Sequence, residues 1–172
     1  MHYTMVRMHR LERRVLEWAL ELTVNDIMPY SACNLLKTSK RRALSSRKNN
    51  TIVCFSTQSS APAEQHTVFD KQPCVSAELS STPVGFIMFR FARTVMYVFE
   101  LHVAEPHRSQ GIGSMLLLQS IQAYADKTSS VVLYVHKQNT RAQAFYSKNG
   151  FKINHTYKNK SFHEMVFNIL KQ

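Results

Sequence analysis

The sequence predicts an α+β fold, a mixed central β-sheet with helices on both faces, and three observations predict it. First, the β-prone run 95–103 leads through a turn carrying Gly111 and Gly113 into an apolar helix, and then into the run 131–135. That last run is apolar and β-branched throughout, as expected of a strand buried on both faces. Strand, crossover helix and strand make a βαβ unit, whose two strands are parallel. Second, runs 84–91 and 95–103, and runs 151–157 and 162–169, are each separated by a short turn and read as antiparallel hairpins. Third, the N-terminal part carries an amphipathic helical repeat, whose apolar stripe must pack on the sheet.

Taken in order, Leu11, Val15, Trp18 and Leu22 recur at helical spacing, with Glu12, Arg13, Arg14, Glu17 and Glu21 mostly on the other faces. The helix extends to about residue 24, and its Trp18 faces the core. No acidic residue occurs over 27–63, while Lys37, Lys40, Arg41, Arg42, Arg47 and Lys48 accumulate. A second, shorter helix fits 33–44. The basic run is either a solvated face or a contact for phosphate groups. Residues 51–55 are β-prone. Residues 56–82 shift to Ser, Thr, Gln and Pro, including Pro62 and Pro73. They read as a flexible insertion between two strands of a single domain spanning residues 1–172. After the hairpin turn Ala92-Arg93-Thr94 and the glycine turn, a helix over 114–127 presents Leu117, Leu118, Ile121, Tyr124 and Ala125 to the core. Asn139 can cap a further helix that stops at Asn149-Gly150.

Composition narrows the function. Hydrophobic residues are 44% of the 172, which supports one core and excludes wholesale disorder. No uncharged apolar run approaches the ~20 residues of a membrane span, so no membrane partner is expected. The first ten residues are basic with no apolar stretch behind them, unlike a secretory signal, and Glu12, Glu17 and Glu21 oppose a mitochondrial presequence. Cys33, Cys54 and Cys74 are odd in number and lack Cys-x-x-Cys spacing, which fits reduced thiols in cytoplasm or nucleus. The eight histidines do not cluster, so no metal is expected. A net charge of +11 fits a solvated surface, a polyanionic cofactor, nucleic acid, or docking on a ribosome or chromatin.

The chain has four glycines, and two of them sit in Arg108-Ser109-Gln110-Gly111-Ile112-Gly113-Ser114. Glycine lets backbone amides approach a ligand closely, and the helix that follows points its unpaired first amides into the same turn. With Arg108, these donors suit a phosphate or pyrophosphate. Leu116 stands where a dinucleotide fingerprint needs its third glycine, and no Gly-Lys-Ser/Thr is present. The plain alternative is a strand-to-helix turn without a ligand.

Arg108-Ser109-Gln110-Gly111-Ile112-Gly113 resembles the Arg/Gln-x-x-Gly-x-Gly/Ala signature of the GNAT acetyltransferases. A second segment, Asn139-Thr-Arg-Ala142-Gln-Ala-Phe145-Tyr146-Ser-Lys-Asn-Gly150-Phe151, resembles that family's Asn-x-x-Ala-x-x-Phe-Tyr-x-x-x-Gly-Phe. The resemblance implies the GNAT fold and acetyl-CoA as cofactor. Amides of Ser109, Gln110, Gly111, Ile112, Gly113 and Ser114 would hold the pyrophosphate, with Arg108 adding charge. Strand residues Leu101, His102 and Val103 would pair with the pantetheine arm. Asn139 would contact the cofactor and Tyr146 would stand near the thiol; otherwise Tyr146 is a packed core aromatic.

Residues 18–151 resemble more closely the NatD type of N-α-acetyltransferase, which modifies histone tails beginning Ser-Gly-Arg-Gly-Lys. That likeness rests on Trp18-Ala-Leu-Glu-Leu-Thr-Val-Asn, Phe89-Arg90-Phe91 and Met96-Tyr97-Val98-Phe99-Glu100. It implies Glu100 as general base and Tyr30, Tyr97, Phe99 and Glu100 at the peptide. Phe99 replaces the family's second tyrosine, and the family's Trp-Gly-Trp loop is here Tyr30-Ser-Ala-Cys-Asn-Leu-Leu-Lys37. For Glu100 the alternative is a structural salt bridge, and Glu105 competes for the base role. The expected protein is thus a monomeric N-α-acetyltransferase of cytoplasm and nucleus acting on a protein N-terminus. The alternatives are a lysine or small-amine acetyltransferase, or a docking module that binds acyl-CoA without turnover.

Overall fold

The computed structural model describes residues 2–30, 36–57 and 81–169. The elements run β1 His2–Met8, α1 Arg13–Ile27, α2 Leu36–Leu44, β2 Asn50–Thr57, β3 Ser81–Ala92, β4 Val95–Val103 and α3 Ile112–Ala123. They continue with β5 Ser130–His136, α4 Thr140–Lys148, β6 Lys152–Ile153 and β7 Phe162–Asn168. The strands form one seven-stranded sheet in the order β1-β2-β3-β4-β5-β7-β6. Only β4 and β5 pair in parallel, joined by the α3 crossover, so the sheet is mixed and the α+β class is as read.

Four elements differ from the sequence reading. Helix α3 spans Ile112–Ala123 where 114–127 was expected, and it leaves Leu118 46% exposed instead of facing the core. Strand β1 was not anticipated. It lies antiparallel on β2 from His2↔Thr57 to Met8↔Thr51 and sends Met5 into the core. The expected insertion 56–82 is shortened at both ends, because Ser56↔Thr82 and Thr57↔Ser81 extend the β2–β3 ladder. Residues 58–80 lie outside the described residues, as do 31–35 ahead of α2. The expected strand 151–157 pairs only at Lys152 and Ile153. Beyond them the Asn154 side chain accepts bonds from the Thr156 amide and hydroxyl, a local turn that draws the chain off the sheet.

Each face of the sheet buries its own cluster. On one face α3 sets Ile112, Leu116, Leu117 and Ile121 against Ile87, Phe89, Met96, Val98, Val131 and Leu133. On the other, α1 and α2 set Val15, Ala19, Leu20 and Leu44 against Val53, Phe86 and Met88. Apart from Ala19, each such side chain contributes about 1.5–3 kcal/mol when fully buried. Trp18 packs edge-on to Phe86 at 5.9 Å, a core role as expected.

Two irregularities in β4 prepare the site. Met88 pairs with Glu100 but Phe89 pairs with Val98, so Phe99 is an extra residue bulging from the strand. Met96 and Val98 therefore face α3, while Glu100 and His102 face α1 and α2. Secondly, β4 and β5 pair only at Val95↔Ser130, Met96↔Val131 and Tyr97↔Val132. Past these positions the two strands part, and a cleft opens between them.

Candidate active site

The cleft runs between β4 residues 98–103 and β5 residues 133–136, and the glycine turn stands at its mouth. The Ala104 amide donates to the Val84 carbonyl (2.8 Å), and a helical turn over Glu105–His107 follows. Gln110 is held from two sides: its Nε2 donates to the Pro106 carbonyl, and its Oε1 accepts from the Tyr3 hydroxyl at 2.6 Å. Gly111 adopts φ +81° as the residue before α3, with nothing within 4 Å of where a side chain would begin. Gly113 serves differently, because a Cβ there would lie 3.2 Å from the Phe145 ring. It lets the start of α3 pack closely on α4.

The first helical bond of α3 runs from the Met115 amide to the Gly111 carbonyl. The amides of residues 112–114 precede it, at the positive end of the helix dipole. Open space at Gly111 beside these donors fits a diphosphate. The β4 edge that β5 leaves unpaired fits an arm bearing amides, such as pantetheine.

Beneath the turn lies a chain of ion pairs that the sequence reading did not assemble. Lys40 Nζ donates to Glu100 Oε1 at 2.5 Å, and His102 Nε2 lies 3.0 Å from Glu100 Oε2. His102 Nδ1 lies 2.8 Å from Asp26 Oδ2, and Arg108 Nη2 donates to Asp26 Oδ1 at 2.7 Å. The sequence thus joins α2, β4, α1 and the turn through one network, with the Glu100 side chain 4% and that of His102 8% exposed.

Burial alone would lower the His102 pKa, but the two carboxylates outweigh it and raise it above the ordinary 6.5, favouring the charged ring. Burial would raise Glu100, yet His102 and Lys40 together hold its carboxyl below the usual 4.5. Asp26 is likewise lowered from 3.8 by His102 and Arg108 against a desolvation penalty.

Three of the expected site residues make contacts that the sequence reading did not foresee. Both oxygens of Glu100, the expected base, are occupied, one by Lys40 and one by His102, and these partners hold its carboxyl below the usual range. Arg108, expected on the pyrophosphate, commits Nη2 to Asp26 and Nε to the Val103 carbonyl at 2.9 Å. His102, expected only through its backbone, has its side chain at the centre of the network. Asn139 caps α4 as read, its Oδ1 accepting from the Ala142 amide at 3.0 Å.

Tyr146 packs among Phe145 and Phe151, with ring centroids at 5.1 and 5.6 Å. Burial first, and then the charge of Glu100, push its phenol above the ordinary value of 10. At neutral pH it is therefore a hydrogen-bond donor within the electrostatic reach of Glu100.

The wall towards α1 is aromatic. Phe99 is 50% exposed, with the Arg90 guanidinium 5.7 Å from its ring centroid, and Tyr97 is half-buried one bulge away. Tyr30 stacks on His136 at 5.5 Å, and His136 meets Phe162 edge-on at 5.3 Å. Tyr134, also exposed, donates its hydroxyl to Glu164. Lys40, Asp26, His136 and Phe162 were not anticipated at the site. Their only sequence signal was that Asp26 is the last acidic residue before the basic run.

Cys54 is buried, and its thiol is pushed up to about 12, so it is inert. Among the described residues no three His, Cys, Asp or Glu side chains form a metal cage. No helix among them is long and apolar enough to cross a membrane.

Comparison with known proteins agrees with this geometry. A model of the acetyltransferase (GNAT) family matches residues 41–151. The spermidine N(1)-acetyltransferase of Thermoplasma acidophilum is 32% identical over 83 residues, 48% of this chain. The chain spans about half the length of that relative, 52%. Among solved structures, the PaiA N-acetyltransferase of Thermoplasma acidophilum in complex with coenzyme A superposes with a TM-score of 0.68 at 18% identity, covering 98% of this chain and 99% of that one. Arabidopsis thaliana NAA60 in complex with a bisubstrate analogue gives 0.64 at 15% identity, covering 96% and 98%. At these identities the likeness is one of fold.

Proposed function

The chain belongs to the acetyltransferase (GNAT) family, and from that membership we propose that it transfers acetyl from acetyl-CoA to the free α-amino group of a protein or peptide. The observation that carries this reading is the cleft where β4 leaves β5, with the Glu100 carboxylate on one wall, the Tyr146 phenol in reach, and an aromatic surface leading in. Acetyl-CoA supplies an acetyl thioester. The amides of Gln110 to Ser114 hold its diphosphate, Leu101 to Val103 pair through their backbone with its arm, and Asn139 closes the far side. Tyr146 gives a hydrogen bond, then a proton, to the departing sulfur.

Glu100 stays ionised across the neutral range and seats the incoming ammonium, which sheds its proton to water before attack. Tyr30, Tyr97 and Phe99 flank the peptide's first residues. The exposed aromatic Phe99 beside the cleft favours a peptide over a compact amine, and the NatD resemblance favours tails beginning Ser-Gly-Arg-Gly-Lys. The net charge of +11 and a basic hollow lined by His9, Arg10 and Arg47 support docking on a ribosome or chromatin, hence work in cytoplasm or nucleus as a single-domain monomer.

A second reading, a small-amine acetyltransferase, is favoured by the named activity of the Thermoplasma relative. The test is acetylation of a peptide library with varied first residues, free or blocked at the N-terminus, alongside spermidine, read by mass spectrometry. Turnover of free but not blocked peptides supports the proposal. Equal turnover of blocked peptides moves the acceptor to lysine side chains, and turnover of spermidine alone replaces the proposal with the second reading.

A further inference from the structure

Lys40 reaches from α2 into the cleft and sets its ammonium on Glu100, the seat just assigned to the acceptor. We propose that Lys40 is itself an acetyl acceptor of this cleft, modified by its own chain when no external amine displaces it. The inference rests on the acetyl-transfer reading above.

The chemistry at the seat is that of a substrate: a primary amine, on a four-carbon stem, against the buried carboxylate that faces the cleft. Its neighbour in the basic run is placed otherwise. Arg41 turns outward, donating from Nη1 and Nη2 to the two oxygens of Glu17 at 2.6 Å. Lys137, by contrast, gives its Nζ to the Asn159 carbonyl. With its side chain 25% exposed against 4% for Glu100, Lys40 is the solvent-accessible member of the pair. Because α2 tethers it, no bimolecular encounter is needed, and a held nucleophile gains greatly in effective concentration.

The step balances without a further reactant. The acetyl C–S bond breaks and an amide C–N bond forms at Lys40 Nζ. The ammonium loses two protons, one ending on the thiol of released coenzyme A and one in water. The product is uncharged, so it no longer competes for Glu100 Oε1, and self-modification opens the seat to a cationic acceptor.

The test incubates the full chain with isotopically labelled acetyl-CoA and no acceptor, and locates the label by peptide mass spectrometry. Exposed Lys37 and Lys48 report background chemical acetylation. Label on Lys40 at least tenfold above both, with a half-time unchanged on tenfold dilution of the protein, supports the proposal. Label on Lys40 no higher than on Lys37 and Lys48, in a preparation that turns over an external amine, overturns it while leaving the proposed function standing. A half-time that lengthens with dilution overturns it as well. Loss of turnover on every external amine, together with an unlabelled Lys40, overturns both. A second readout needs no cofactor: calorimetry of a free-amine peptide binding to Lys40→Met. Tighter binding than to the native chain is expected, and unchanged or weaker binding overturns the shared seat.

Discussion

Glu100 and His102, two residues apart on β4, meet through Oε2 and Nε2 at 3.0 Å on the face turned to α1. They reach that face because Phe99 bulges out between Val98 and Glu100 and reverses the alternation of the strand. The carboxylate is thereby ionised, buried and paired, which suits it to hold an ammonium better than to take its proton. Glu100→Gln is expected to raise the KM for a free-amine peptide by about ten- to a hundredfold, the worth of a charged hydrogen bond, with a smaller change in kcat. Steady-state kinetics separates the two, since a kcat loss of ~10²–10⁴ at constant KM would mean a general base.

The network also sets a pH window for stability. Glu100 has a lowered pKa, so its contribution is present above 4.5 and disappears as pH falls through its folded value. His102 has a raised pKa, so its contribution is complete below 6.5 and disappears as pH rises through its folded value. Thermal midpoints of the native chain and of His102→Gln should therefore differ most between 4.5 and 6.5, and converge on either side. A gap that stays constant into the alkaline range would show an uncharged ring.

The two glycines of the turn should fail in different ways. Gly111→Ala meets no neighbour, and its cost is the left-handed backbone, about 1–2 kcal/mol. Gly113→Val drives a side chain into Phe145, displacing α4 and with it Tyr146, at about 1–3 kcal/mol of overpacking. Urea unfolding measures both costs. Only the second variant should lose more activity than its affinity for coenzyme A, measured by calorimetry, accounts for.

Tyr146→Phe keeps the ring packing and removes the donor. We expect kcat to fall by about 10² with coenzyme A affinity unchanged. In the native chain the phenol loses its proton only above its ordinary value of 10, so Tyr146 should produce no alkaline fall in rate below that pH. A Tyr146→Phe variant with native kcat would leave the residue as a core aromatic.

The βαβ unit was legible because its signals are local: two glycines before an apolar helix, then a β-branched run. Strand β1 was not, since His2, Arg7 and its methionines blur the alternation and its partner on β2 lies some fifty residues away. Of the candidate site, the glycine turn and the helix that carries Tyr146 could be read from motifs. The ion network could not, because His102 meets Asp26 across 76 positions and faces it only through a bulge that no composition announces. Lys40 was hidden for another reason. Within a basic run it looks like Arg41, and only the placement of α2 sends one into the cleft and the other to solvent.

Phe86 lies between two rings, with Trp18 edge-on at 5.9 Å and His102 tilted against it at 5.5 Å. Trp18 is also the only tryptophan in the chain. The molecule therefore carries its own optical reporter one ring away from the imidazolium. Its emission, free of any second fluorophore of that kind, is expected to shift when a charge is added or removed at His102, which a pH titration of the native chain against Phe86→Leu would read without a label.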